Sequence, residues 1–240
     1  MGNPVLKIDQ LMDEAKVVDR LERTHSTAPK YIAHEPKKAE WTVEWKYFCD
    51  CFRIVEPKMD FSKVDMNILY SLLSWVWRFD RLNVLKFDFE KGLFLYGSIG
   101  RGKTLILRAL CKYLRDLKHR WQDVVKDDYR LGTKWVSASV IANDYAADGQ
   151  PDLKHYYARD TCLFIDELGR EPNPSSYFGT RMNVLQFILQ MRYDGRHSSV
   201  THVSTNLSLD MMAETYGDYV ADRCLEMFNF VEFSGPSLRQ

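Results

Sequence analysis

Gly97-Ser98-Ile99-Gly100-Arg101-Gly102-Lys103-Thr104 follows the apolar run Gly92-Leu93-Phe94-Leu95-Tyr96 and opens the run Thr104-Leu105-Ile106-Leu107-Arg108-Ala109-Leu110-Cys111. The octet fits G-x-x-x-x-G-K-[ST], a loop whose glycines let successive backbone N–H groups turn inward around phosphates. In such a loop Lys103 reaches the β- and γ-phosphates and the Thr104 hydroxyl holds Mg²⁺. The flanks supply the context that the motif demands. The first run reads as a buried strand, and Leu107, Leu110, Cys111 and Leu114 fall on one face of a helix. Gly97, Ser98, Ile99, Gly100, Arg101 and Gly102 are thus the expected phosphate cradle.

Working outward, strands and helices alternate from Gly92 onward. Expected strands cover residues 93–96, 134–138, 162–165, 200–204 and 230–233. Expected helices cover 104–117, 140–147, 153–158, 180–193 and 209–228, the last broken near Gly217. Strands separated by helices imply an α/β fold, a mostly parallel five-stranded sheet flanked by helices, with ligand at the carboxyl ends of the strands. Before Gly92, Trp41, Trp45, Phe48 and Phe52 recur at helical spacing, and their stripe reads as a face packed against the rest of the protein. Pro57 ends that helix. Ser62-Lys63-Val64-Asp65 resembles a capping box opening a helix with Ile68, Leu72, Trp75 and Phe79 in register. A short helix over 8–23 is expected within a charged, partly flexible arm. The chain divides into a helical N-terminal extension, 1–60, and an α/β domain that carries the phosphate loop, 61–240.

Thr161-Cys162-Leu163-Phe164-Ile165-Asp166-Glu167 is an apolar strand that stops at two acids, the expected partner of a phosphate loop. Asp166 holds Mg²⁺ in this reading, and Glu167 polarises the attacking water as general base. Val200-Thr201-His202-Val203-Ser204-Thr205-Asn206 is a third strand ending in a polar residue. Beside the Asp166 strand, the Asn206 amide reaches the γ-phosphate and the lytic water. Hydrolysis also needs an arginine at the γ-phosphate, one donated by a neighbouring subunit being worth about 10³–10⁵ in rate. Spacing leaves Arg223, Arg239, Arg192 and Arg196 open for that role. A GTPase is disfavoured, because Asn206-Leu207-Ser208-Leu209 lacks the lysine of a guanine-reading N-K-x-D.

Composition sets outer limits. Lys and Arg total 33, as do Asp and Glu, so the chain lacks the global basic footprint of a nucleic-acid binder and needs a local patch, assembled from several subunits, to hold DNA. Cys49, Cys51, Cys111, Cys162 and Cys224 are odd in number and scattered, which suits a reducing cytoplasm. No apolar run has the length of a membrane span, so no membrane partner is expected.

In order, these residues resemble the AAA+ ATPases of the DnaC/IstB type, bacterial helicase loaders and transposition helpers. The likeness rests on Gly97–Thr104, Trp135-Val136-Ser137-Ala138-Ser139, the stretch from Leu163 to Gly169 with Glu171, Ser204-Thr205-Asn206-Leu207, Tyr216-Gly217, the stretch from Asp222 to Met227, and Gly235 to Arg239. The resemblance makes Lys103 and Thr104 the Walker A pair, Asp166 and Glu167 the Walker B pair, and Asn206 the sensor 1 residue. It puts Arg223 at the position of a finger acting on a neighbour's ATP and Arg239 at that of a sensor 2-like arginine. It also implies a reduced or absent lid, since only 34 residues follow Asn206. Residues 140–159 would then face single-stranded DNA, with Lys154, His155, Tyr156, Tyr157 and Arg159 as charges and stackable rings. Where many relatives carry Asp-Asp, this chain has Asp166-Glu167. The implied activity is ATP hydrolysis with Mg²⁺, self-association through ATP-bridged interfaces, and loading of a replicative helicase chosen by the N-terminal region. The alternatives are a transposition helper that guides a transposase on duplex DNA, and a nucleotide-gated switch with little turnover.

Overall fold

The computed structural model describes residues 38–121, 132–149, 153–157, 161–196 and 200–235. The expected helix over 8–23, Arg159 and Arg239 lie outside them. Five strands form one parallel sheet: β1 (Gly92–Gly97), β2 (Thr133–Ser137), β3 (Cys162–Leu168), β6 (Val200–Thr205) and β7 (Phe228–Phe233), in the order β2-β3-β6-β1-β7. All four pairings are parallel, so each strand must be covered on both faces and read as nearly continuous apolar sequence. Successive side chains alternate between two cores. Leu93, Leu95, Cys162, Phe164, Val231 and Phe233 join the first. Phe94, Leu163, Ile165 and Val203 join the second.

Helices α1 (Lys38–Val55), α2 (Met66–Trp77) and α3 (Lys103–Arg120) cover the first face. The aromatic stripe of α1 turns inward as its spacing implies: Phe48 and Phe52 are fully buried, and Trp41 and Trp45 are partly buried against the same core. Glu44 is buried with them. It accepts hydrogen bonds from Tyr113 Oη at 2.6 Å, Trp121 Nε1 at 3.1 Å and Arg120 Nη1 at 3.0 Å, and Arg120 Nη2 completes the fork. A carboxylate so enclosed is tolerable only because every lone pair has a donor. It ties α1 to the end of α3.

The second face is covered by α4 (Ala138–Asp148), α6 (Val184–Asp194), α7 (Leu209–Tyr216) and α8 (Asp218–Met227), with the single turn α5 (Lys154–Tyr157) beside α6. The break at Gly217 is where the sequence puts it, and its φ of +87° explains why glycine stands there. Three expectations are corrected. Residues 180–182 are not helical: β4 (Ser175–Tyr177) and β5 (Thr180–Met182) form an antiparallel hairpin packed on α4, and α6 starts at Val184, where the Asn183 side chain accepts from Gln186 N. The cap of α2 is Asp65 rather than Ser62; Ser62 lies in a separate 3₁₀ turn capped by Asp60. Phe79 follows the end of α2, whose C-cap is Arg78 at φ +51°.

Candidate functional site

The carboxyl ends of β1, β6 and β3 lie side by side, because β6 is hydrogen-bonded to both of the others. The loop leaving β1 begins at Gly97, whose φ is +111°, and a Cβ there would stand 2.5 Å from Phe233 O. Only glycine fits. The next residue anchors the loop to β7, Ser98 N donating to Phe233 O at 2.8 Å. Gly100 and Gly102 also have positive φ, +76° and +87°, and Gly102 caps α3 in the left-handed conformation. The loop thus delivers the chain into the N-terminus of α3, and a helix N-terminus is a natural anion site.

Lys103 is 93% buried at the first position of α3, being only 7% exposed. Its Nζ donates to Gly97 O at 2.8 Å, Ser98 O at 2.7 Å and Asn206 Oδ1 at 2.9 Å. One residue on, Thr104 Oγ1 donates to Asp166 Oδ1 at 2.8 Å. Two contacts therefore draw the phosphate loop, the acidic end of β3 and the residue after β6 into one cluster. Asp166 is buried and also accepts from Ser204 Oγ. Ser204 in turn accepts from Glu167 N at 3.1 Å.

At Glu167 the strand is irregular. The β3–β6 register shifts between Ile165 and Leu168, and Glu167 has φ +57°, a left-handed conformation that strains a residue with a Cβ. The consequence is geometric: Asp166 stays inside while Glu167 turns to solvent at the same edge, its side chain 46% exposed and 3.2 Å from Arg170. Strain of this kind is kept where a site needs it. The turn is held from two sides. Thr205 Oγ1 donates to Leu168 O at 2.7 Å and accepts from Leu207 N at 3.0 Å. Glu171, itself buried, accepts from Gly169 N at 2.9 Å and from Tyr216 Oη. Burial and the Glu171 carboxylate push the Tyr216 hydroxyl well above its ordinary value.

The hydroxyls of β6 explain a peculiarity of that strand. All six of its residues are buried although four are polar, and each polar side chain has a task. Thr201 accepts from Arg192 Nε, His202 Nδ1 accepts from Leu93 N at 3.2 Å, and Ser204 and Thr205 hold the β3 turn. Ser204 is the residue that sequence reasoning passed over as part of the Asn206 motif; the signal was a small hydroxyl inside a buried strand. Glu171 and Tyr216 carried a family likeness but no role.

Arginines separate clearly. Arg192 is buried, its guanidinium donating to Tyr156 O at 3.2 Å, Thr161 Oγ1 at 3.1 Å, Thr161 O at 3.1 Å and Val200 O at 2.6 Å. It clamps α6 to the starts of β3 and β6 and is no candidate for reaching a neighbour. Arg223, on α8, lies in another cluster, its Cζ 3.4 Å from the Tyr219 ring centroid and 4.5 Å from that of Tyr193. Its Nη1 has no hydrogen-bond partner among the described residues. Arg196 stacks on Tyr193 at 4.1 Å and lies 3.5 Å from Glu226. Arg101 packs against Gly235, the last described residue. Within the segment expected to face DNA, Tyr156 is buried and bonded to Asp144, so it is no stacking platform; Lys154 and His155 are exposed.

The donors of this cluster suit a metal ion. Thr104 and Asp166 offer hard oxygens 2.8 Å apart, a pair that fits Mg²⁺, which keeps several waters and takes phosphate oxygens for the rest.

No protein-family model and no curated protein matches the sequence. Solved structures do match in fold. A candidate primosome component from Streptococcus pyogenes serotype M3 is similar at 20% identity, over 75% of this chain and 88% of that one, with a TM-score of 0.51. The DnaC helicase loader is similar at 20% identity, over 79% of this chain and 99% of its own, with a TM-score of 0.49. At such identity the likeness bears on the fold, which is the α/β architecture expected from the sequence.

Proposed function

We propose that this chain is an ATP-dependent AAA+ ATPase that assembles on single-stranded DNA and loads a replicative helicase. The observation that carries the reading is the double contact at the sheet edge, Lys103 to Asn206 and Thr104 to Asp166, which unites three motifs remote in sequence. The sequence motifs and the fold shared with a candidate primosome component support the replication setting.

Each residue then has a chemical task. Lys103 exchanges its carbonyl and amide acceptors for phosphate oxygens, a stronger charge-assisted contact. The Thr104 hydroxyl and Asp166 carboxylate would hold Mg²⁺, which would supply charge neutralisation on the phosphates. Glu167, turned outward by its left-handed backbone, takes a proton from the attacking water, and Asn206 orients that water. Arg223 acts on nucleotide bound by a neighbour, so subunits associate through ATP, and Arg239 takes the role of a sensor 2-like arginine. Residues 1–60 choose the helicase, and residues 61–240 form the ATPase domain. The protein works in the cytoplasm.

The test is ATP hydrolysis by wild type and Glu167→Gln, with and without a single-stranded oligonucleotide, together with co-purification of the host helicase. The reading expects DNA-stimulated turnover that Glu167→Gln removes while ATP binding persists. Equal, negligible turnover in both proteins points to a switch instead, and retention of duplex DNA with a transposase points to a transposition helper.

A further inference from the structure

Phe178 is 93% exposed, far more than any other large apolar side chain among the described residues. It stands at the tip of the β4–β5 hairpin, where Tyr177 pairs with Thr180 and only Phe178 and Gly179 form the loop. Both have positive φ, +44° and +85°, the pair of left-handed residues that a two-residue turn takes most readily as Asn-Gly or Gly-Gly. Phenylalanine strains that position, and its ring gains no burial among the described residues in return. The tip is also braced. Tyr177 meets Phe178 edge-on at 4.8 Å, and is itself packed on Tyr145 of α4 and against Gly149. A strained, braced, solvent-facing ring is the form of an anchor residue at an interface.

At the other lateral end of the sheet, β7 is an edge strand. Beside it lies a cavity of about 330 Å³ lined by Ile68, Leu85, Phe87 and Phe230, with the exposed carboxylates of Asp65 and Glu232 at its margin. The hairpin carries the matching charge, since the exposed Arg181 stands on β5 three residues from the ring. We infer that Phe178 of one protomer docks in this cavity of a second copy, with Arg181 facing Asp65 and Glu232. Knob and socket lie on different parts of the surface, so the contact is head-to-tail and adds subunits in an open chain or closes them in a ring. A net charge of zero opposes such stacking with no long-range repulsion. The exposed Arg181 also attracts a phosphate backbone, so nucleic acid is the competing occupant that the test below separates. One ring and one ion pair fall well short of a standard interface of about 1,600 Å², so the contact is weak alone. It needs no nucleotide and therefore stands apart from the ATPase reading.

Sedimentation velocity of the full chain without nucleotide, carried up to about 1 mM protein to reach weak association, tests it. Phe178→Asn removes the knob with a residue that suits the turn, and Leu85→Glu blocks the socket. Wild type is expected to associate with rising concentration, each variant to remain monomeric, and an equimolar mixture of the two to form 1:1 dimers that grow no further. Restored association in Arg181→Glu combined with Glu232→Arg, after loss in Arg181→Glu alone, confirms the charge pairing. A monomeric wild type, a monomeric mixture, or undiminished association of Phe178→Asn overturns the proposal. If that last protein has instead lost affinity for a single-stranded oligonucleotide, the hairpin serves DNA. A chain that passes this test and hydrolyses no ATP refutes the ATPase reading alone.

Discussion

The clamp around Arg192 and the surface of α8 around Arg223 treat the same side chain in opposite ways. Arg192 spends its guanidinium on neutral acceptors of its own chain, linking α6 to β3 and β6. Arg223 is held by the faces of Tyr193 and Tyr219, and one of its buried nitrogens has no acceptor among the described residues. Aromatic faces fix a cation in place while leaving its hydrogen-bonding capacity unspent. The first arrangement serves the fold, and the second leaves a positioned charge for an anion from elsewhere. Spacing in the sequence could not tell them apart.

Substitutions break the comparison along that line. Arg223→Ala carries the largest expected effect: loss of assembly-dependent turnover by about 10³–10⁵, as for other arginines acting in trans, with ATP affinity and thermal stability near wild type. Mixing it with Lys103→Ala protein should restore part of the activity, because each supplies what the other lacks. Steady-state hydrolysis and thermal melts on the same samples check both halves. Arg192→Met should do the reverse. Several buried acceptors lose their donor at roughly 1–3 kcal/mol each, so unfolding should come about 3 kcal/mol sooner. That corresponds to a fall of about 6–12 °C in Tm for a chain of this size. A melt unchanged by Arg192→Met, or collapsed by Arg223→Ala, would erase the distinction.

The smallest effect concerns the latch beneath the β3 turn. The Tyr216 hydroxyl is raised by burial first and by Glu171 second. A phenol raised in the folded state contributes stability that is complete below its unfolded value, about 10, and is lost as pH rises beyond it. Stability should therefore decline above about pH 10 through the unfolded chain's readier ionisation. Tyr216→Phe should flatten part of that decline, at a cost near neutral pH of about 1 kcal/mol for one hydrogen bond. Urea unfolding at neutral pH and at about pH 11 measures both.

Much of this was legible from the chain. Short continuous apolar runs separated by helical stretches located all five strands of the sheet, and Gly97 to Thr104 together with the abrupt stop at Asp166-Glu167 fall at the edge where β1 and β3 end. What escaped notice is explained by particular residues. Thr180 to Met182 precede a helical apolar pattern and were absorbed into it, although Gly179 and the capping Asn183 mark a turn and a helix start. The left-handed backbone of Glu167 follows from a register shift against β6, which exists only once the strands pair. The burial of Arg192 depends on carbonyl oxygens from three separate elements. Local pattern does not encode such convergence.

The most direct measurement is an equilibrium titration of ATP, with and without Mg²⁺, into wild type, Lys103→Ala and Asp166→Asn. If the β1, β3 and β6 ends grip one triphosphate, Lys103→Ala weakens binding by at least about 10- to 100-fold, the worth of one charge-assisted contact, and Asp166→Asn removes the dependence on Mg²⁺. Equal affinity in all three proteins, with Mg²⁺ making no difference, would contradict the account.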